Sequence, residues 1–312
     1  MTDHQSPSLT FTDFGAADAA AFLAPPQPGD DKYSRGVLGV MTGSSSFPGA
    51  ALLGVEGATR TGVGMVRYLG PGRATRMVLQ RRPEVVTADG RVQAWLIGSG
   101  MAAEGRDPSV TAALIEVLSH GHPVVVDAGA LDLLEHATGP VVITPHAGEL
   151  LTLLSSHGIS TSRADITADA EHWAALTAQL LGVTVLLKGH LTHVVGAAQA
   201  GNSADRALGP AVRVTAPTTE LATAGSGDVL AGILGALVAT HHEELDADDD
   251  GNGGVLARLA ATAATLHGLA GSGLRAVAPS WRSTSPTPSL PRSPRCALAD
   301  CRAAPTASPR SS

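Results

Sequence analysis

Three short segments hold residue types that can do chemistry. Thr223-Ala224-Gly225-Ser226-Gly227-Asp228 precedes an apolar run over 229–238. The glycines let the chain turn tightly, and a buried helix that starts there offers free backbone N–H groups and a partial positive charge, which together make an anion site. Asp228 stands at that start and would face the bound anion; the plainer alternative is a carboxylate that only caps a core helix. Lys188 ends the apolar run Val185-Leu186-Leu187, and a cation at a strand's end calls for a partner such as phosphate. Thr144-Pro145-His146-Ala147-Gly148-Glu149 follows another apolar run and opens a helix. His146 and Glu149 are thereby placed at a strand's carboxyl end, where open sheets bind ligands. Taken singly, each could be a capping or surface feature; so many polar positions at strand ends or helix starts in one chain are harder to dismiss.

Two further patterns admit other chemistry. Gly98-Ser99-Gly100-Met101-Ala102-Ala103 follows a strand-like run, and Asp127 ends the next one. That is the spacing of a dinucleotide-binding unit with a ribose-binding acid, although four strands already precede it. His241-His242-Glu243-Glu244 with Asp246 and the acids at 248–250 has metal-ligand residue types, yet after a helix and before Gly251 it reads as a solvated acidic loop. The sequence has no Gly-x-x-x-x-Gly-Lys-Ser/Thr, no Gly-x-Ser-x-Gly and no His-Glu-x-x-His. P-loop nucleotidase, hydrolase-elbow and zinc-helix chemistries are thus excluded.

The elements that must position these residues alternate along the chain. Short apolar runs at 37–41, 63–69, 85–87, 94–97, 124–126, 141–143, 183–187, 192–195 and 212–215 read as strands. Stretches at 49–61, 106–120, 165–181, 227–240 and 254–270 are long enough for helices. Several of the runs are apolar throughout, as strands buried on both faces of a parallel sheet require. The alternation predicts a doubly wound α/β layer sandwich, with 183–187 and 192–195 forming an edge hairpin.

Composition sets the frame. The chain has 312 residues, of which 3% are aromatic, so its core must be built from Ala, Val and Leu through small-residue packing. A net charge of −7 opposes a general nucleic-acid surface. No apolar stretch is long enough to span a bilayer, and no cleavable leader is evident, so a soluble, cytoplasmic protein is expected. The charge is uneven. Residues 276–312 are rich in Pro, Ser and Arg and hold five arginines, one aspartate and both cysteines. That tail is therefore +4 and residues 1–275 are −11. Residues 1–31, with Pro25, Pro26 and Pro28, read as a loose N-terminal arm, 32–275 as the folded domain and 276–312 as a disordered tail.

Read together, the motifs resemble the ADP-dependent NAD(P)H-hydrate dehydratases of the ribokinase-like superfamily. The resemblance runs from Asp31-Lys32-Tyr33-Ser34-Arg35-Gly36 to about Gly271. It includes Thr42-Gly43-Ser44, Phe47-Pro48-Gly49-Ala50-Ala51, Arg60-Thr61-Gly62-Val63-Gly64 and Asp127-Ala128-Gly129-Ala130-Leu131. It continues through the Thr144–Glu149 and Lys188-Gly189 segments to Ala222–Asp228 and Gly268. The Gly-Ser-Gly-Asp piece is shared across the superfamily; Thr-Pro-His-x-Gly-Glu is the more specific.

The resemblance implies a three-layer α/β/α sandwich with a mostly parallel central sheet. It also implies repair of the (S)-epimer of NAD(P)H hydrate at the expense of ADP, by phosphoryl transfer to the 6-hydroxyl and then elimination of phosphate. Asp228 would be the general base, and the N–H groups of Gly225, Ser226 and Gly227 would stabilise the transferred group. Ala50, Gly100, Ala102 and His146 would join Asp228 around the hydrate. Lys188, Gly189, His190, Leu191 and Thr192 would line the nucleotide with Gly227. Mg²⁺ is expected with the ADP, without a metal site made of protein side chains. A homotetramer, and an epimerase on a separate chain because 31 residues cannot hold one, are implied as well. A small-molecule kinase and a non-catalytic nucleotide-binding relative are the alternatives.

The chain departs from the family's pattern in places. Gly98-Ser99-Gly100-Met101-Ala102 stands where Gly-Pro-Gly-Leu-Gly is usual, so Ala102 puts a methyl group where a glycine approaches the hydrate. Ala147 replaces a common proline. After Gly271 the family's helix-forming ending is replaced by the Pro/Ser/Arg tail, as a shifted reading frame in GC-rich DNA would produce.

Overall fold

The computed structural model describes residues 9–197, 207–247 and 253–277. In chain order the first half contains β1 (Thr12–Asp13), α1 (Ala16–Ala20), β2 (Val37–Met41), α2 (Pro48–Thr61), β3 (Met65–Tyr68), α3 (Gly72–Arg81), β4 (Ala94–Ile97), α4 (Pro108–Ser119) and β5 (Val124–Val126). A 3₁₀ helix (Ala128–His136) leads to β6 (Val141–Ile143), α5 (Ala147–Ser156), α6 (Arg163–Ala168), α7 (Ala170–Leu181), β7 (Thr184–Leu187), β8 (Leu191–Ala197) and β9 (Leu208–Thr215). The chain then forms α8 (Ser226–Thr240), α9 (His242–Asp246) and α10 (Gly254–Val277). It divides into two units, Met1–Ala276 and Val277–Ser312; of the second, only Val277 lies among the described residues, and the rest of the tail lies outside them.

The nine strands form one sheet in the order β1-β9-β8-β7-β6-β5-β4-β2-β3. All neighbours are parallel except β7–β8 and β8–β9. Pleating sends alternate residues to opposite faces. Leu38, Val40, Ala94 and Leu96 join the core under α2, α8 and α10, while Val37, Met41, Trp95 and Ile97 join the one under α4, α5 and α7. Two cores on the two faces of one sheet are the three-layer sandwich expected from the alternation.

On the first face α2 and α8 meet backbone to backbone. A Cβ at Gly57 would lie 2.6 Å from the Val229 carbonyl oxygen, and one at Gly232 would lie 2.0 Å from that of Gly54. Small residues at these points let α8 settle against the sheet and aim its amino terminus across the strand ends.

Several expectations change. The hairpin is β7–β8, but it is not at the edge, because β9 and β1 extend the sheet beyond it. Residues 85–87 make no strand; after Pro83 only Val86 bridges to Arg67. α3 was not foreseen, since its arginine-rich sequence buries only Ala74 and Val78. The helix expected over 165–181 is two helices. They break at Asp169, whose carboxylate accepts from the His172 N–H at 3.2 Å and so starts α7. The N-terminal arm is not loose between 11 and 19. β1 pairs with β9, the Phe14 N–H donates to the Arg213 carbonyl at 2.8 Å, and Phe11 and Ala19 are buried.

Candidate active site

The polar residues singled out by sequence converge at the carboxyl ends of β2, β4, β5, β6 and β7, opposite the start of α8. Parallel strands deliver their ends to one edge, which is where an open α/β sheet leaves room for a ligand.

At the end of β6, His146 is the N-cap of α5. Its ring Nδ1 accepts from the Gly148 and Glu149 N–H groups at 3.0 and 3.1 Å, and Glu149 Oε2 accepts from the His146 N–H at 2.8 Å. This reciprocal box satisfies the helix start. It also leaves the proton of a neutral His146 ring on Nε2. The capping role occupies Nδ1 and leaves Nε2 3.6 Å from Glu149 Oε1.

Lys188 follows β7 and is drawn beside the Thr144–His146 segment, where its N–H donates to the Pro145 carbonyl at 2.8 Å. Its ammonium lies 3.0 Å from Asp127 Oδ1 and 3.5 Å from Glu149 Oε2. Burial works against the charge, but Asp127 and then Glu149 outweigh it and hold the ammonium above its ordinary range. Asp127 is 3% exposed, and it also accepts from the Thr144 hydroxyl at 2.7 Å and the Ser99 hydroxyl at 2.9 Å. A buried carboxylate with three donors is the arrangement that such a charge requires.

Facing this group is the first turn of α8. Gly225 is its N-cap with φ of 88°, a left-handed conformation suited to glycine, and Ser226 is pinned by a 2.7 Å bond from its hydroxyl to the Leu221 carbonyl. A Cβ at Gly227 would lie 3.5 Å from the Lys188 ammonium nitrogen. The cation therefore sits beside the first turn of α8, where the Ser226 N–H donates to the Thr223 carbonyl at 3.4 Å. Asp228 is in the first turn rather than at the cap. Its carboxyl is pushed up to about 6, chiefly by burial and then by the Asp127 charge, with Lys188 pulling the other way.

A cavity of about 570 Å³ opens at this point. Its lining includes His146, Lys188, Gly189, His190, Thr192, Ser226 and Gly227, so most of the expected nucleotide residues share one space. Leu191 is not among the lining residues and is 39% exposed. Ala50, Gly100 and Asp228 do not line the cavity either; Ala50 and Gly100 meet each other, since a Cβ at Gly100 would lie 2.3 Å from the Ala50 Cβ. Ala102 is exposed on the loop that follows. Gly225 backs onto Leu53 of α2.

Sequence reasoning gave Asp127 only a ribose-binding role in the dinucleotide alternative and placed Glu149 at the strand end with His146; it assigned nothing to Ser99, Thr144 or His267. His267, from α10, lines the cavity and hydrogen-bonds the Ser226 backbone. Burial lowers its pKa, with Lys188 adding to that effect against the Ser226 bond. Only the His267-Gly268 pair within a small-residue helix could have marked it.

The dinucleotide-unit alternative fails on geometry. No helix begins at the Gly98–Ala103 loop, since α4 starts only at Pro108, and the Asp127 carboxylate is already bound to Lys188. The His241 region is the short helix α9 rather than a loop; Glu243, Glu244 and Asp246 are exposed as expected, while His241 is buried with its Nδ1 2.8 Å from the Leu237 carbonyl. The acids at 248–250 lie outside the described residues. Among the described residues no group of three or more His, Cys, Asp or Glu side chains is gathered to hold a metal, and no helix is long and apolar enough to cross a membrane.

A family model described as NAD(P)H-hydrate dehydratase matches residues 38–288. The chain is 41% identical over 239 residues to the bifunctional NAD(P)H-hydrate repair enzyme Nnr of Mycobacterium tuberculosis, covering 73% of this chain and 46% of that protein. It is 32% identical over 232 residues to the ADP-dependent (S)-NAD(P)H-hydrate dehydratase of Neisseria meningitidis serogroup B, covering 67% and 71%. It thus spans about half the length of the bifunctional relatives it matches. The fold matches the crystal structure of the ADP/ATP-dependent NAD(P)H-hydrate dehydratase of Bacillus subtilis co-crystallised with ATP and Mg²⁺. The TM-score is 0.70 at 22% identity, over 89% of this chain and 94% of that one. A ribokinase-like superfamily protein of Enterococcus faecalis V583 gives a TM-score of 0.62 at 22% identity, over 87% and 92%.

Proposed function

Because the chain belongs to the NAD(P)H-hydrate dehydratase family, we propose that it returns the (S)-epimer of NAD(P)H hydrate to NAD(P)H with ADP as phosphoryl donor. The observation that carries this reading is the meeting of a base, a cation and the glycine-rich first turn of a helix. Asp228, in the first turn of α8, feels the Lys188 charge, and Lys188 lines a cavity with Ser226, Gly227 and His146, of which Asp228 and Gly225 are not lining residues.

Asp228 takes the proton of the ring 6-hydroxyl as its oxygen attacks the β-phosphorus of ADP and AMP leaves. With its carboxyl near 6, Asp228 is ionised at neutral pH yet basic enough to hold that proton. The N–H groups of Gly225, Ser226 and Gly227, with the Lys188 ammonium, stabilise the charge on the passing phosphoryl group. The C6–O bond then breaks, pushed by the ring nitrogen's electron pair; phosphate departs, and a proton leaves ring carbon 5 to restore the double bond. The products are AMP, phosphate and the reduced cofactor. His146, Ala50, Gly100 and Ala102 flank the hydrate, while Gly189, His190, Leu191 and Thr192 flank the nucleotide.

Mg²⁺ would neutralise the nucleotide's phosphates. The donor set suits an ion brought in on phosphate and water, since Asp127 and Glu149 already serve Lys188 and Asp228 is the proposed base. Residues 32–275 would be the working domain in a cytoplasmic homotetramer, with the epimerase step supplied by another chain.

Asp228→Asn tests the assignment. The variant is expected to bind ADP within about threefold of wild type by calorimetry while turnover falls on the order of 10²–10⁴-fold. Turnover within tenfold of wild type would remove Asp228 from the base role.

A further inference from the structure

We propose that Asp127 is a positioning residue of this reaction, a buried carboxylate that ties the loop at 98–102 to Lys188 and fixes that cation against the first turn of α8. The inference rests on the dehydratase reading and names a residue that the reading leaves without a role.

The geometry is specific. One oxygen of Asp127, Oδ1, accepts from Lys188 at 3.0 Å and from Thr144 at 2.7 Å; the other, Oδ2, accepts from Ser99 at 2.9 Å. Two of these donors are neutral hydroxyls, which a neutral amide could serve nearly as well. Only Lys188 requires the charge, and a buried carboxylate that lacked such a partner would be costly. The tie to the loop is equally close. A Cβ at Gly98 would lie 2.1 Å from the Asp127 carbonyl oxygen, and the Ser99 carbonyl accepts from the Gly43 N–H at 2.7 Å. Asp127 therefore reaches the hydrate side, where Gly100 meets Ala50, through one oxygen and the nucleotide side through the other. Ala128, next in the chain, has φ of 43°, the one positive value on a non-glycine residue among the described residues. Strain of this kind persists where the surroundings fix a residue in place.

The same charge acts on Asp228. The charged groups facing Asp228 are Asp127 after β5, Glu149 from α5 and Lys188 after β7. His267 from α10 lines the cavity with Lys188, while α2 sets Leu53 against Gly225 and Gly54 near the Asp228 carbonyl. Removing the Asp127 charge should let the Asp228 carboxyl fall toward its ordinary range. It should also leave Lys188 more open to polyphosphate while holding it less firmly in place.

Asp127→Asn tests this with readouts that move in opposite directions. ADP affinity is expected to tighten 3–10-fold by calorimetry while kcat falls at least 30-fold. The acid limb of kcat/KM should move at least half a pH unit lower. A merely structural role would weaken both binding and rate and leave the limb in place, and that result would overturn the proposal. Ser99→Ala keeps the charge and covers the case in which Asp127→Asn does not fold. It is expected to lower kcat 3–10-fold with the limb and ADP affinity unchanged, and a wild-type rate in it would overturn the tie to the loop. If the wild type binds ADP but never converts the hydrate, the dehydratase reading fails. The tightening in Asp127→Asn then still decides whether Asp127 restrains Lys188.

Discussion

Asp228 sits in an environment that favours its proton, and this has a consequence for stability as well as catalysis. Its folded-state pKa of about 6 lies above the ordinary 3.8. The stability linked to its protonated form is therefore full below about 3.8 and drains away as pH rises through about 6. Asp228→Asn has no such titration. It should melt higher than wild type at pH 8 by roughly 2–4 °C, the shift that about 1 kcal/mol gives in a domain of this size after allowance for solvent. The two melting curves should converge below pH 4; equal melting temperatures at pH 8 would contradict the burial argument. Asp228 and Lys188 were legible in sequence because each is a charge at the end of an apolar run. The partnership of Lys188 with Asp127 was not, because 61 residues separate them and only the sheet order brings β5 and β7 to either side of β6.

At the scale of elements, the pairing of α2 with α8 decides whether the first turn of α8 is aimed at the strand ends. Gly232→Ala and Gly57→Ala each push a methyl group into backbone and should cost roughly 1–3 kcal/mol, with weaker ADP binding. Gly273→Ala, on the exposed side of α10 with nothing within 4 Å, should instead gain up to about 1 kcal/mol from helix propensity. Denaturant titration of the three variants checks the contrast. Strands were legible because runs such as Val124-Val125-Val126 are apolar on both faces. α3 lacks that signal: it is anchored by Arg81 and Arg82 to Glu56 at 2.8 and 2.6 Å. Such ion pairs leave no apolar period to read. At 85–87 the pattern misled, because Pro83 and the adjacent turn leave room for a single bridge.

Across the whole molecule, a sequence of 312 residues contains an α/β sandwich that we propose ends near 275. The family model reaches 288. Ending the chain at Val277 is expected to leave turnover within twofold and melting within about 2 °C, and a larger loss would place working residues in 278–312. The layer order, the mostly parallel sheet and the position of the site at the strand ends all followed from the alternation of short apolar runs with helices. The extension of the sheet by β9 and β1 did not. It depends on Phe11 and Phe14 docking nearly 200 residues away, a pairing that no local pattern encodes. The central claim is tested most directly by incubating the full chain with the (S)-epimer of NADPH hydrate, ADP and Mg²⁺ while reduced-nicotinamide absorbance and AMP are followed together. The account predicts that absorbance returns with one AMP formed per NADPH. No return of absorbance with either ADP or ATP, or return without AMP, would contradict it.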